Sequence, residues 1–100
     1  MEQYNVEIFP AAQNDLTHIV DYLNTLSATA AARQYDFIVE KIGSLQTMPE
    51  RCAPAKGTQL RLRGYRLLMI ENYIVFFVIK ERTVEIRRIL YAKRQYKDLL

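Results

Sequence analysis

The chain has 100 residues, half of them hydrophobic, with one cysteine, one histidine and a net charge of +3 at neutral pH. This is one domain's length, with apolar content enough for a single core and too high for a disordered segment. A lone Cys52 and a lone His18 exclude an internal disulfide and a Cys/His zinc site, so the chain reads as a reduced, cytoplasmic domain using no metal or cofactor. The amino terminus lacks the apolar core of a signal peptide, and no apolar run is long enough to span a bilayer.

The charge is divided unevenly along the chain. Residues 1–50 carry 2 Lys/Arg and 7 Asp/Glu, a balance of −5, whereas residues 51–100 carry 12 and 4, a balance of +8. A split of this size can build one basic face, which +3 spread evenly cannot.

Residues 4–9 (YNVEIF) alternate, with Tyr4, Val6 and Ile8 on one side and Asn5 and Glu7 on the other, as in a half-buried strand. Pro10 ends that strand and suits the first turn of a helix, where its missing N–H costs nothing. Over residues 11–26, Ala12, Leu16, Ile19, Val20, Leu23 and Leu26 recur at spacings of three and four, predicting an amphipathic helix. Asp15 falls in its first turns, where the helix dipole favours negative charge. His18 lies off the apolar stripe and reads as a surface residue. Ser27 is a good N-cap for a second helix, whose seam is Ala31, Tyr35, Ile38, Ile42 and Leu45. The two helices form an antiparallel hairpin, with Gly43 a point of close packing and Pro49 the stop.

Residues 49–59 (PERCAPAKGTQ) are the long loop, crossing from the helices to the basic half. Leu60 and Leu62 alternate with Arg61 and Arg63, as the start of the next strand or an edge piece. Three apolar runs follow, at 65–70, 73–79 (YIVFFVI) and 84–90. The first break is Glu71-Asn72, a tight turn in which Asn72 tolerates positive φ. Turns this short join antiparallel neighbours, and the uncharged YIVFFVI run has the composition of a central strand covered on both faces. The first strand must pair somewhere in this sheet, and the pattern leaves its neighbour open. The expected fold is α+β, one domain over residues 1–100: a small antiparallel sheet of order β-α-α-β-β-β with a two-helix hairpin on one face. Residues 91–100 form a polar, basic tail.

Chemistry-bearing candidates concentrate in the basic half: Arg61, Arg63, Tyr65, Arg66, Arg87, Arg88, Tyr91, Lys93, Arg94, Tyr96 and Lys97. Guanidinium groups grip phosphates and aromatic rings stack on unpaired bases, so this mixture suits a nucleic-acid or other acidic target. Its plain alternative is a set of charges that keeps a small sheet soluble and guards its edges. Val84, Ile86, Arg88 and Leu90 share one parity, and Glu85, Arg87, Ile89 and Tyr91 the other. One arginine is thus aimed at each face. The parity breaks near Ile89-Leu90, which predicts a bulge or twist there and leaves open which arginine meets solvent. A metal-independent ribonuclease needs groups to deprotonate the ribose 2′-OH, protonate the leaving oxygen and stabilise the charged phosphorane. The basic half supplies the cations but no histidine, and its carboxylates are Glu71, Glu81, Glu85 and Asp98. Cys52, with no histidine near it in sequence, reads as inert.

Taken in order, several pieces are similar to one family: Tyr4-Asn5-Val6-Glu7-Ile8 followed by Pro10-Ala11-Ala12-Gln13-Asn14-Asp15-Leu16, Met48-Pro49-Glu50-Arg51, Arg63-Gly64-Tyr65-Arg66, Glu71-Asn72-Tyr73-Ile74-Val75-Phe76-Phe77, and Arg88-Ile89-Leu90-Tyr91-Ala92-Lys93-Arg94-Gln95-Tyr96. Over nearly its whole length the chain resembles the RelE/ParE superfamily of toxins from bacterial type II toxin–antitoxin modules. The resemblance implies a growth-inhibiting, plasmid-stabilising toxin held inactive in a hetero-oligomer with its cognate antitoxin. RelE-like members cleave mRNA on the ribosome. Arg66 and Arg94 match two cationic positions of that branch, and Tyr96 is the nearest stand-in for its tyrosine. ParE-like members inhibit DNA gyrase. The Glu71–Phe77 strand and the ending from Arg88 to Arg94 look more like that branch, with Arg61, Arg63, Tyr65, Arg87, Arg88, Tyr91 and Lys93 as target or nucleic-acid contacts. The resemblance implies no cofactor and no membrane partner.

Overall fold

The uncharged run becomes an interior strand of a four-stranded sheet, and everything else is laid on its two faces. The computed structural model describes residues 3–93 and 99–100. In chain order these form β1 (Asn5–Ile8), α1 (Pro10–Asn24), α2 (Ala28–Gly43), short 3-10 turns at Ser44–Gln46 and Pro49–Arg51, α3 (Thr58–Leu62), β2 (Tyr65–Ile70), β3 (Tyr73–Lys80) and β4 (Thr83–Tyr91). The α+β class, the helical hairpin and the β-α-α-β-β-β order are as the periodicity predicts. Pro10 opens α1. Ser27, in extended conformation, caps α2 by accepting the Ala30 N–H at 3.2 Å.

The sheet order is β1-β4-β3-β2. The meander is antiparallel as expected. However, β1 runs parallel to β4, with Asn5 opposite Thr83 and Ile8 opposite Ile86, so the sheet is mixed rather than wholly antiparallel. The intervening helices and hairpins provide the long connection a parallel pair requires, and the free outer edge of β4 provides the place.

Both faces of β3 are covered. On one face Val75 and Phe77, with Val84, Ile86 and Ile89 of β4, pack under Ala12, Leu16, Ile38 and Ile42 of the helices. On the other, Ile74, Phe76 and Val78 join Tyr65 and Leu90 beneath Ala55, Leu60, Leu99 and Leu100. Phe76 and Phe77, adjacent and aimed oppositely, are both 0% exposed. That is why the run shows no polar alternation.

Several local expectations change. The loop over 49–59 is partly structured: the Ala55 N–H donates to the Tyr65 carbonyl (2.8 Å) and the Leu67 N–H to the Ala53 carbonyl (3.0 Å), covering part of the β2 edge. Leu60 and Leu62 lie in a helical turn, not a strand, between Gly57 and Gly64, both at positive φ. Leu60 is buried on the second core cluster and Leu62 is 82% exposed. Helix α1 stops before Leu26, which is exposed, and Tyr35 sits at the lip of a groove between α1 and α2 rather than in the seam. A Cβ at Gly43 would meet nothing within 4 Å, so that glycine serves no close approach. In the hairpin turns positive φ falls on Glu71 (53°) and Glu81 (56°), the first central residue of each two-residue turn, and not on Asn72. Among the described residues, no helix is long and apolar enough to cross a membrane.

Candidate functional site

The bulge in β4 decides where the arginines go. Phe76 faces Arg88 and Phe77 faces Ile86, which makes Arg87 the extra residue, slightly earlier than the expected break at Ile89-Leu90. The insertion returns Ile89 to the helix-covered face beside Val84 and Ile86. Neither arginine is simply solvated. Beyond Ile86 the β1 strand has ended, and Asp15 of α1 closes the open edge of β4 by accepting the Ile89 N–H at 2.9 Å. The same carboxylate takes Arg88 in a two-pronged grip, Nε to Oδ2 at 2.7 Å and Nη2 to Oδ1 at 2.8 Å. Arg87 donates through Nε and Nη2 to Glu85 Oε1, at 3.2 and 2.7 Å, with its guanidinium 5.0 Å from the Phe9 ring centre. The hydrogen bonds to Glu85 and Asp15 hold the respective Arg87 and Arg88 pKa values above the usual arginine range.

Arg66 is also engaged internally. It points to the face opposite Tyr65, and its Nη1 donates to the carbonyls of Cys52 (2.7 Å) and Glu50 (3.3 Å), tying the inter-helix-to-sheet loop to β2. Nearby, the Tyr4 hydroxyl donates to Glu50, holding that carboxyl below its ordinary pKa, with a smaller contribution from the Arg66 charge. Burial pushes the Cys52 thiol up against the opposing pull of Arg51 and Arg66, which fits an inert cysteine.

A group of exposed cations gathers beside α3. Arg61 and Lys56 are exposed and flank a cleft between the 54–57 segment and the helix. It continues into a shallow groove of about 240 Å³ lined by Lys56, Gly57, Thr58, Gln59, Leu60 and Arg63. The Arg63 guanidinium lies 5.1 Å from the centre of the Tyr65 ring and donates to the main-chain oxygen of Leu100 at 2.9 Å. Tyr65 itself is 4% exposed, a packing residue beneath the arginine.

Tyr91 and Lys93 sit elsewhere. Tyr65 pairs with Val78 near one end of the sheet, and Tyr91 pairs with Tyr73 at the other. Five residues of strand separate the two levels, about 17 Å. Tyr91 meets Tyr73 edge to face, with ring centres 5.9 Å apart. The predicted residues therefore divide into an α3 group (Arg61, Arg63), a far-end group (Tyr91, Lys93) and a set bound internally (Arg66, Arg87, Arg88). Arg94, Tyr96 and Lys97 lie outside the described residues. His18 is exposed on α1, in the acidic half. Sequence reasoning missed Lys56, whose place beside Arg61 depends on the Gly57 turn, and it missed Asp15 as the partner of Arg88, because the two are 73 residues apart. Among the described residues, no three His, Cys, Asp or Glu side chains converge as a metal site requires.

A helical hairpin from the acidic half of the chain, laid on a sheet from its basic half, defines a small α+β domain. Residues 6–96 match the family described as the ParE toxin of the type II toxin-antitoxin system, parDE, and the chain belongs to that family. It is similar in fold to a chain of the chromosomal ParDE toxin–antitoxin system of P. aeruginosa, at 24% identity and a TM-score of 0.78, over 91% of this chain and 98% of that one. It is similar also to a chain of the RelBE2 toxin–antitoxin complex of Mycobacterium tuberculosis, at 23% identity and a TM-score of 0.62, over 89% and 98%. No curated protein matches the chain. The resemblance to the RelE/ParE superfamily read from the sequence is thereby established.

Proposed function

We propose that this toxin acts in the cytoplasm by binding and poisoning DNA gyrase, and that a cognate antitoxin holds it inactive in a hetero-oligomer until it is released. The observation that carries the target reading is the engagement of Arg66. A nuclease of the RelE type needs this cation aimed at the scissile phosphate, but here its Nη1 donates to the Cys52 and Glu50 carbonyls, which anchors the guanidinium against the 50–52 segment. Arg87 and Arg88 are ion-paired with Glu85 and Asp15. Among the described residues, what is offered to a target beside α3 is a binding surface carrying Lys56 and Arg61, rather than a set of acid/base groups around a cation. The antitoxin reading draws support from the two solved relatives, a ParDE system and a RelBE2 complex.

The test is to assay the free toxin for inhibition of gyrase supercoiling beside cleavage of mRNA on programmed ribosomes. Inhibited supercoiling with intact message is the expected result, and Lys56→Ala/Arg61→Ala should weaken it about tenfold, as loss of two solvent-facing contacts to an acidic surface implies. Message cut in the ribosomal A site overturns the proposal and returns Arg66, Arg94 and Tyr96 to the role of catalytic residues. Neither effect, with antitoxin binding retained, identifies a relative that binds its antitoxin without acting on either target.

A further inference from the structure

Three tyrosines from three elements meet at the end of the sheet away from α3. Tyr73 opens β3 and stands opposite Tyr91 at the end of β4, their ring centres 5.9 Å apart and their planes inclined at 67°. Tyr22 is brought to the same place by α1, which packs against β4. Asp15, Ile19 and Tyr22 follow at spacings of four and three, so they share one face of that helix. Asp15 is fixed to Arg88 and to the Ile89 N–H, and Ile19 packs on the core. From Asp15 to Tyr22 the helix advances about 10 Å, and from Ile89 to Tyr91 the strand advances about 7 Å in step with it. Tyr22 thus lies within electrostatic reach of Tyr73, whose hydroxyl is pushed up by burial first and then by Tyr91, Tyr22 and Glu71. Glu71 stands exposed in the turn between β2 and β3.

We propose that this corner is a binding site for an arginine side chain presented by a protein partner, its guanidinium stacked on Tyr22 and Tyr91 and paired with Glu71. Tyr73 packs on the core and backs the site, whereas Tyr22 is 64% and Tyr91 43% exposed. A plain lid over the sheet end would be served by aliphatic side chains drawn inward. Here much of two rings is left to water beside a carboxylate. Ring faces carry the negative side of the aromatic quadrupole, and two steeply inclined rings present such faces to one point. A guanidinium suits the corner better than an ammonium. It is planar, weakly hydrated and able to stack, and its fork reaches a carboxylate while the plane lies on a ring. The charge is complementary, since Tyr22 belongs to residues 1–50 with their balance of −5 and Glu71 adds another carboxylate. A phosphate backbone would meet negative ring faces and a carboxylate, and would be repelled. The site lies at the other end of the sheet from Lys56 and Arg61, and it is independent of which target the toxin inhibits.

The probe is N-acetyl-arginine amide, whose one charge is the guanidinium, titrated into the full chain beside N-acetyl-citrulline amide, its uncharged analogue of the same shape. Proton NMR follows the probe's δ-methylene and the tyrosine rings. The arginine probe should saturate with a Kd of about a millimolar, its δ-methylene moved upfield by the rings, and the citrulline probe should bind roughly tenfold more weakly. Tyr22→Leu keeps an apolar side chain at an exposed position without the ring and should weaken binding about fivefold, and Glu71→Gln about threefold. An acetylated pentapeptide amide with arginine between glycines should bind as well as the single residue, and its exclusion overturns the reading of a protein partner. Citrulline bound equally well, or affinity unchanged in both variants, overturns the proposal. So does tetramethylammonium bound more tightly than arginine, which would make this a site for quaternary ammonium groups. Should Tyr22→Leu not fold, the parent chain decides: the probe must shift the ring signals of Tyr22, Tyr73 and Tyr91, and shifts spread equally to Tyr4 and Tyr35 refute a defined site.

Discussion

Replacing Asp15 with alanine tests whether the Arg88 grip is a structural joint. The substitution removes three acceptor contacts: two from the guanidinium and one from the Ile89 N–H. It leaves a cation without its counter-ion and a strand-edge amide without its acceptor at a place where the Arg88 and Asp15 side chains are only 22% and 12% exposed. Breaking a fully buried pair by removing one member costs about 3–5 kcal/mol. Residual water access discounts that here, so a loss of about 2–3 kcal/mol is expected. For a domain of this size that lowers the Tm by roughly 10–20 °C. Scanning calorimetry of Asp15→Ala, Arg88→Ala and the double variant closes a cycle, with a coupling of about 1.5–2 kcal/mol expected between the partners. Asp15→Asn should fall between parent and Asp15→Ala, since it still accepts from Ile89. A Tm drop under about 3 °C for Asp15→Ala, or a strictly additive cycle, refutes the reasoning. The same variants qualify any activity result: if Arg88→Ala abolishes toxicity through the fold, Asp15→Ala does so too, and if Arg88 touches the target, Asp15→Ala stays toxic at temperatures where it remains folded.

Three further outcomes can be checked. Tyr4→Phe removes the hydroxyl that depresses the Glu50 carboxyl, so the Glu50 titration followed by ¹³C NMR should move upward. A depressed carboxylate contributes stability above its unfolded pKa and loses it as pH falls through the folded one, so the stability gap between parent and Tyr4→Phe should be present at neutral pH and vanish on acidification. Glu81→Gly relieves a left-handed residue at φ 56° and should raise stability by about 0.5–1 kcal/mol, read as a higher urea midpoint at unchanged slope. Cys52, 8% exposed and with its thiol pushed up by burial, should resist iodoacetamide at pH 8 in the folded chain and react promptly in urea; fast labelling of the native protein would count against the packing described.

Much of this fold was legible because its signals are local. The stripe of Ala12 and Leu16, the Ser27 cap and the Ile38–Ile42 spacing each lie within a few turns of chain. The YIVFFVI run announced a strand covered on both faces, and the two tight turns forced an antiparallel meander. The candidate site was legible only as a composition. Arg66, Arg87 and Arg88 looked like free cations because their partners are backbone carbonyls of another segment, a carboxylate two residues away across a bulge, and an aspartate on a distant helix. Side-chain alternation cannot report a bulge from within one strand, since the extra residue is defined by the partner strand opposite it.

By itself, then, the sequence determined the class and order of elements, the separation of an acidic helical half from a basic sheet half, and membership of a toxin family, since periodicity, caps, turns and motifs are written in neighbouring residues. Only the tertiary structure decided that β1 runs parallel on the β4 edge, that residues 58–62 turn as a helix, and which arginines are spent internally. The parallel pairing and the Arg88–Asp15 grip depend on contacts between segments that are far apart in the chain, 73 residues in the second case. Their free energy appears when the chain is folded around one core, and no local pattern encodes it.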